Sequence, residues 1–445
     1  MLERLFRLGE NRTRVRTEVL AGVTTFMTMS YILFVQPAVL STDFAGNPTG
    51  IPHDAVLLAT CLASCLACLL MGLLANYPIA QAPGMGENFY FVSVVMGLTA
   101  AGFPEAWKVA LGLTFLAGVL FLLLTVGRAR VALIDGVSPS LKNGIAVGIG
   151  IFIAFIGLRN SGLVVSAPGT LLRLNPDVTD PGVVIFLAGL LFTGMLMILR
   201  VRGAILWGIL SAAVLALLTG QQTWHGVMGL PREHAFLAFD FHWVLRPETY
   251  MILFPYLLVF LFMDVFDTTG TLIAVAEQGG FLKGNQLPRA QRALYSDALG
   301  TTVGACLGTS TVTSYIESSA GVVAGGRTGL VSVTAGLLFL SALFFTPLVE
   351  MVGGYPAITA PALVLVGCMM ARNTVRIDWD DVTEAVPAFL IMIGIPLTYS
   401  ISDGLAAGFV TYPVLKLISG RGREVTPLLY GVAALFVARY VFFPM

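Results

Sequence analysis

Residues 82–91 read APGMGENFYF. One proline and two glycines break any regular helix here, and a carboxylate (Glu87) and an amide (Asn88) follow at once. The surrounding chain is apolar: 57% of its 445 residues are hydrophobic and only 11% are charged, against roughly 45–50% and 25% in soluble domains. Mean hydropathy is +0.87. Runs such as 56–75 (VLLATCLASCLACLLMGLLA) and 182–199 (GVVIFLAGLLFTGMLMIL) are each long enough, as helices, to cross a hydrocarbon core of about 30 Å. The chain therefore reads as an all-α polytopic membrane protein. In such a protein, broken backbone at membrane depth is tolerated only where it lines a cavity or is buried in protein.

Apolar periodicity places spans at 19–40, 54–75, 84–100, 108–127, 141–158, 182–200, 203–220, 248–276, 292–307, 311–325, 329–350, 356–371, 383–400 and 403–419. These are fourteen segments. A further apolar stretch, 426–443, contains Arg439 and reads equally as a fifteenth span or an interfacial helix. The basic N-terminus MLERLFRLGENRTRVRTE precedes a run long enough to span, so it reads as a start-transfer helix and not a cleaved signal.

Charge tests this map. With the N-terminus cytoplasmic, nineteen of the 25 Lys and Arg fall inside, Arg128, Arg130, Lys142 and Lys283 among them, and five fall outside, with Arg439 unassigned. That is the positive-inside bias expected of a correct span count. The longest polar loop, 221–246, falls outside. A net charge of zero gives no electrostatic footing for nucleic acid.

Fourteen segments divide into seven and seven, and an odd number per half forces the halves into opposite orientation. The third segment opens with APGMGEN and the tenth with GTSTVTSYIESSAG (308–321). Both are short, both interrupt apolar character, and both stand third in their half. Paired interruptions of this kind mark a transporter's binding site.

Ionisable groups inside spans are costly and are functional candidates by default. In FLFMDVFDTTGTLIAVAEQ (260–278), Asp264, Asp267, Thr268 and Thr271 stand at i, i+3, i+4 and i+7, one polar stripe on an apolar helix. The alternative reading is hydrogen-bonded glue between helices. The tenth segment adds Tyr315 and Glu317 among seven hydroxyl-bearing Ser and Thr between 309 and 319. Those hydroxyls can satisfy freed backbone groups, but Glu317 is not needed for that. In the third segment the helix start offers N–H donors, and Asn88 offers both a donor and an acceptor. Phe89, Tyr90 and Phe91 offer flat faces, or simply packing. Glu277 reads as solvated near its helix end, and Asp297, five residues after Arg292, as ordering the start of the ninth span.

The four histidines (His53, His225, His234, His242) fall in outer loops, so a proton relay has to use carboxylates. Cys61, Cys65 and Cys68 share one helix face and read as small packing residues. The glycines between Gly144 and Gly150 read as close helix packing. There is no P-loop, H-E-x-x-H or G-x-S-x-G, so the chain reads as no enzyme.

These residues resemble the adenine/guanine/hypoxanthine permease (AzgA-like) branch of the nucleobase–cation symporter family, related to the nucleobase–ascorbate transporters. The resemblance covers nearly the whole chain. It is carried by TEVLAGVTTFMTMSYILFVQP (17–37), APGMGENFYF (82–91), SLKNGIAVGIGIFIAFIGLRNSG (140–162), MDVFDTTGTL (263–272), SDALGTTVGACLGTSTVTSYIESSAGVVAGGRTGL (296–330) and DGLAAGFVTYPVLKLISGRG (403–422). It implies two inverted seven-segment repeats arranged as core and gate, with short extended stretches in segments 3 and 10 meeting beside segment 8. The core would comprise 1–127 and 247–351, and the gate 128–246 and 352–445.

Taken with the residue reading, it implies substrate binding by Asp264, Glu317, Asn88, Gly86, Tyr315 and Thr268. The proton-coupling candidates are Asp264, Asp267, Glu317 and Glu87, with no metal ligand and no cofactor beyond the proton. The expected activity is proton-coupled import of adenine, guanine or hypoxanthine across the cytoplasmic membrane by alternating access. The expected partners are a purine nucleobase and the lipid bilayer, with a homodimer left open. Another nucleobase or a small anion on the same fold, or a non-transporting receptor, are the alternatives. The branch usually reads APGMGLNAYF in segment 3 and FVNP at the end of segment 1. Glu87, Phe89 and Gln36 therefore depart from it, and Glu87 is the first place to look for altered specificity.

Overall fold

The computed structural model describes residues 2–44, 46–126, 136–246, 249–282 and 287–442. Arg128, Arg130 and Lys283 of the charge map, the span ends 127, 248 and 443, and the domain bounds 127, 128 and 247 lie outside them. The chain opens with α1 (Leu2–Phe6). The first predicted segment follows as two helices, α2 (Val15–Met29) and α3 (Ile32–Ser41), parted at Ser30 and Tyr31. Next comes α4 (His53–Leu70), which widens into a π-turn over Met71–Ala75 and is stopped by Asn76 in the left-handed region at φ 52°. The third segment is β1 (Gln81–Pro83) followed by α5 (Met85–Ala100), and α6 (Ala106–Val126) closes this quarter.

α7 (Pro139–Asn160) starts on Ser138, whose hydroxyl accepts the Leu141 N–H, with Pro139 at the first helical position where no N–H is needed. A hairpin unread in the sequence, β2 (Val164–Ala167) and β3 (Leu171–Leu174), precedes α8 (Pro181–Ile198) and α9 (Ala204–Leu218). The second half runs α10 (Tyr250–Gly279), α11 (Ala290–Leu307), β4 (Val312–Ser314), α12 (Ser318–Val323), α13 (Leu330–Ala342) and α14 (Thr346–Gly353). It ends with α15 (Pro356–Ala371), α16 (Val382–Thr398), α17 (Ile401–Ile418) and α18 (Pro427–Phe442).

Among the described residues eight helices are long and apolar enough to cross a membrane, and α9, α13, α16 and α18 are shorter apolar helices. Besides the split in segment 1, two spans differ from the reading by periodicity. Segment 11, read as 329–350, breaks between α13 and α14. Segment 10, read as 311–325, is a three-residue strand and a six-residue helix. The C-terminal stretch is helical, with Arg439 buried against Tyr256.

Helix packing falls into two groups. α2, α4, α6, α10, α11, α12 and α13 pack mainly among themselves, and α7, α8, α9, α15, α16 and α17 do likewise. The glycines of α7 permit this closeness: a Cβ on Gly144 would meet Ala388 at 3.0 Å, and one on Gly150 would meet the Gly367 carbonyl at 2.9 Å. Cys61, Cys65 and Cys68 are buried packing residues, and a Cβ on Gly336 would meet that of Cys68 at 2.8 Å.

The two broken segments pair with each other. β1 and β4 run antiparallel in the register Gln81–Ser314, Ala82–Thr313 and Pro83–Val312. The ladder is extended by Tyr315 N–H to Ala80 O and Gly84 N–H to Thr311 O, both at 3.0 Å. Backbone that leaves helical geometry at membrane depth must find partners inside the protein. Each interruption supplies them to the other, which is why interruptions come as a pair.

Candidate functional site

A polar centre forms where β1, β4, α10 and α11 meet. Asp297, fully buried, is its hub. Its Oδ1 accepts from Gln81 Nε2 at 2.6 Å and Ser314 Oγ at 3.1 Å, and its Oδ2 accepts from Thr268 Oγ1 at 2.6 Å. Thr268 also meets Thr313 Oγ1 at 2.8 Å, and Thr313 donates to Asp267 Oδ2 at 3.3 Å. Asp297 therefore does not order a helix start: α11 begins at Ala290, which leaves Asp297 two turns inside. Gln81 and Asp297 are site residues that the sequence reading misses. The available signal is an amide directly before the APG break and a carboxylate inside an apolar segment.

A second network holds Asn88. Ser310 donates to Asn88 Oδ1, and Gln36 Nε2 donates to Thr309 Oγ1 at 2.8 Å and reaches Ser310 Oγ at 3.5 Å. The Gln36 departure thus braces segment 1 against segment 10. Asp264 is fully buried. Its Oδ2 accepts from Thr301 at 2.9 Å, while Oδ1 has no hydrogen-bond partner.

The polar stripe of α10 is split by exposure. Asp264 and Thr268 are closed off, but Asp267 is exposed, and so are Gly270 and Glu277 further along the same face. A Cβ on Gly270 would meet nothing within 4 Å, so this face of α10 is open from Asp267 to the Gly279 end. At its head Ile316 is 46% exposed and Glu317 is half-buried. Glu317 accepts from the Tyr31 hydroxyl at 2.9 Å, and the Tyr315 hydroxyl donates to Pro83 O at 2.5 Å.

Glu87 is buried and folded back over its own N-cap: a Cβ on Gly84 would fall on its carboxyl oxygen and 2.8 Å from Thr313 Cγ2. A carboxylate in the first turn is favoured by the helix dipole. Gly86 lies against the other group of helices, since a Cβ there would meet Ile149 of α7 at 3.0 Å.

Beyond Asn88, away from the Gly279 end, the path is plugged by aromatics. Phe89 stacks on Phe44 (6.2 Å) and meets Phe152 edge-on (6.0 Å), and Phe152 meets Tyr399 at 5.9 Å. Arg159 Nη1 donates to Phe44 O at 2.7 Å and its guanidinium lies over the Tyr399 ring at 5.7 Å. Phe89 therefore belongs to a buried aromatic seal and not to that open face. Tyr90 and Phe91 pack on Phe260.

The centre gathers Glu87, Asp264, Asp267, Asp297 and Glu317, and among the described residues no salt bridge pairs any of them with Lys or Arg. Such a site suits a neutral, flat ligand rich in N–H groups, and it holds carboxyls joined by hydroxyls along which a proton can pass.

The sequence profile of the Permease family (Xan_ur_permease) matches residues 16–406. The chain belongs to the Permease family. Guanine/hypoxanthine permease PbuO of Bacillus subtilis (strain 168) is 44% identical over 97% of this chain and 98% of that one. Adenine permease AdeP of Escherichia coli (strain K12) is 40% identical over 99% and 96%. The resemblance to the purine permease branch is borne out. Among solved structures, the transmembrane domain of a cyanobacterium bicarbonate transporter, BicA, aligns at a TM-score of 0.66 with 13% identity, over 88% of this chain and 97% of that one. Such identity shows the fold alone: the inverted-repeat arrangement of core and gate. This permease is a multi-pass membrane transport protein and not an enzyme.

Proposed function

We propose that the chain is a proton-coupled secondary transporter that imports a purine nucleobase across the cytoplasmic membrane by alternating access, with its N-terminus cytoplasmic. The observation that carries this reading is the one-sided exposure at the paired broken segments, which we take as a cleft. Glu317 and Asp267 are accessible there from the Gly279 end, while the opposite end is sealed at Phe44, Phe89, Phe152 and Tyr399. The charge map puts the Gly279 end inside, so this is the inward-facing state. Relatives that carry guanine, hypoxanthine or adenine by name support the substrate class.

In this reading Glu317 and Asp267 accept the purine N–H groups first. Asp264, Thr268, Tyr315, Asn88 and Gly86 form the wall behind them. The coupling proton enters at Asp267 and passes through Thr313 and Thr268 to Asp297, along contacts of 3.3, 2.8 and 2.6 Å. The moving bodies are the core (1–127 and 247–351) and the gate (128–246 and 352–445). The seal is shared between them, with Phe44 and Phe89 on the core and Phe152 and Tyr399 on the gate. A small anion fits less well, because the five carboxyls would repel it without a paired cation.

Purified protein in vesicles, with an inward proton gradient imposed, should accumulate labelled hypoxanthine, guanine or adenine and lose it when a protonophore is added. Absence of uptake of all three by protein that elutes as a folded species would end this proposal.

A further inference from the structure

Far from the cleft, on the membrane face opposite the N-terminal segment, three side chains converge that transport does not use. His53 and Asp54 open α4, and Glu350 lies on α14. Their ligand-capable atoms all lie within 4.8 Å of one another. Both ring nitrogens of His53 and Oδ1 of Asp54 are buried and have no hydrogen-bond partner. Three dry polar atoms without partners in one spot are costly. The arrangement around them is also constrained. Asp54 Oδ2 accepts the Arg232 N–H at 3.1 Å, which fixes the carboxylate and leaves Oδ1 for a ligand. Gly353 backs onto the imidazole, where a Cβ would meet Nε2 at 3.0 Å.

We propose that His53, Asp54 and Glu350 bind a divalent transition-metal ion, with Zn2+ the best fit. One imidazole nitrogen and two carboxylate oxygens are a Zn2+ donor set with a fourth position left to water, whereas Ca2+ and Mg2+ take oxygen ligands in larger number. Bonds of about 2.0–2.1 Å would bring the ligand atoms to about 3.3 Å apart, a closure within the reach of side-chain rotation. Arg232 is the cation facing the group and opposes binding, but two carboxylates outweigh it. The ion clamps α4, from the first half of the chain, to α14, from the second.

The test is calorimetric titration of the tag-free, chelator-treated protein in detergent with ZnCl2, beside thermal melting with and without Zn2+. One equivalent should bind per chain and raise the melting temperature. Glu350→Gln, at an exposed position, and His53→Ala should each weaken binding by about tenfold or more, while melting in EDTA stays at the wild-type temperature. Arg232→Ala should bind at least as tightly as wild type. The proposal is overturned if wild type takes up no stoichiometric Zn2+, if both variants that melt normally bind it as well as wild type, or if CaCl2 competes at equal concentration. Neither uptake nor its loss bears on this result, because the site lies outside the transport path.

Discussion

The two segments that meet at the centre are built alike and in the same order, a three-residue strand and then a helix, yet they differ in what they expose. In the first, every residue from Gln81 to Tyr90 is buried, and its helix runs sixteen residues. In the second the helix is only six residues long, and the turn before it brings Ile316 and Glu317 into the cleft. The first is a dry half whose side chains brace the second. Gln81 holds Asp297 and Ser314, Asn88 holds Ser310, and Glu87 lies over Gly84 against Thr313. The second is the wet half that meets the ligand. An inverted repeat thus supplies two copies of a backbone device, and side chains assign one copy to support and the other to contact.

The comparison breaks most visibly at Glu317. Glu317→Gln should lower uptake by about 100-fold or more without lowering expression, since losing a charged hydrogen-bond acceptor costs about 1.5–3 kcal/mol and the proton-accepting group goes with it. Retained uptake would move ligand contact elsewhere.

Asp297→Asn comes next and probes the dry side. If Asp297 is the end of the proton path, gradient-driven accumulation should fall by about tenfold or more, while exchange of labelled for unlabelled purine across the membrane, which needs no net proton movement, continues within about threefold. Equal loss of both would make Asp297 a support of the fold alone.

Gly86→Ala should slow transport by about tenfold, because overpacking costs about 1–3 kcal/mol and the added methyl meets Ile149 at 3.0 Å across the two helix groups. Ile149→Ala in the same chain should restore most of the rate. The smallest effect is expected at Glu87→Leu, where removal of a first-turn carboxylate is worth about 0.3–1 kcal/mol. Purine preference, measured by competition, should shift by no more than about threefold.

The paired interruptions and the acidic stripe of α10 are legible in the sequence, because composition and local spacing carry them, whereas the extended stretches within the interruptions follow only from the family resemblance. Asp297 and Gln81 are not, since their partnership spans 216 residues and strands of three residues have no period to detect. The stripe itself misleads in one respect. At about 100° per residue, the four positions share an arc of about 100° with Asp267 at one edge and Thr268 at the other, so the spacing alone does not tell that Asp267 is exposed while Asp264 and Thr268 are buried. Glu87 invites a role in specificity from its departure alone. Its place over the N-cap glycine depends on how β1 enters α5, which no motif records.

The central claim is a ligand site open to one side at the head of the second broken segment. Ile316→Cys, in a chain whose five native cysteines are replaced, tests it most directly, with a membrane-impermeant thiol reagent applied to oriented vesicles. The account predicts labelling from the cytoplasmic face, little from the other, and slowing by hypoxanthine of about tenfold. Equal labelling from both faces, or a rate that no purine alters, would contradict it.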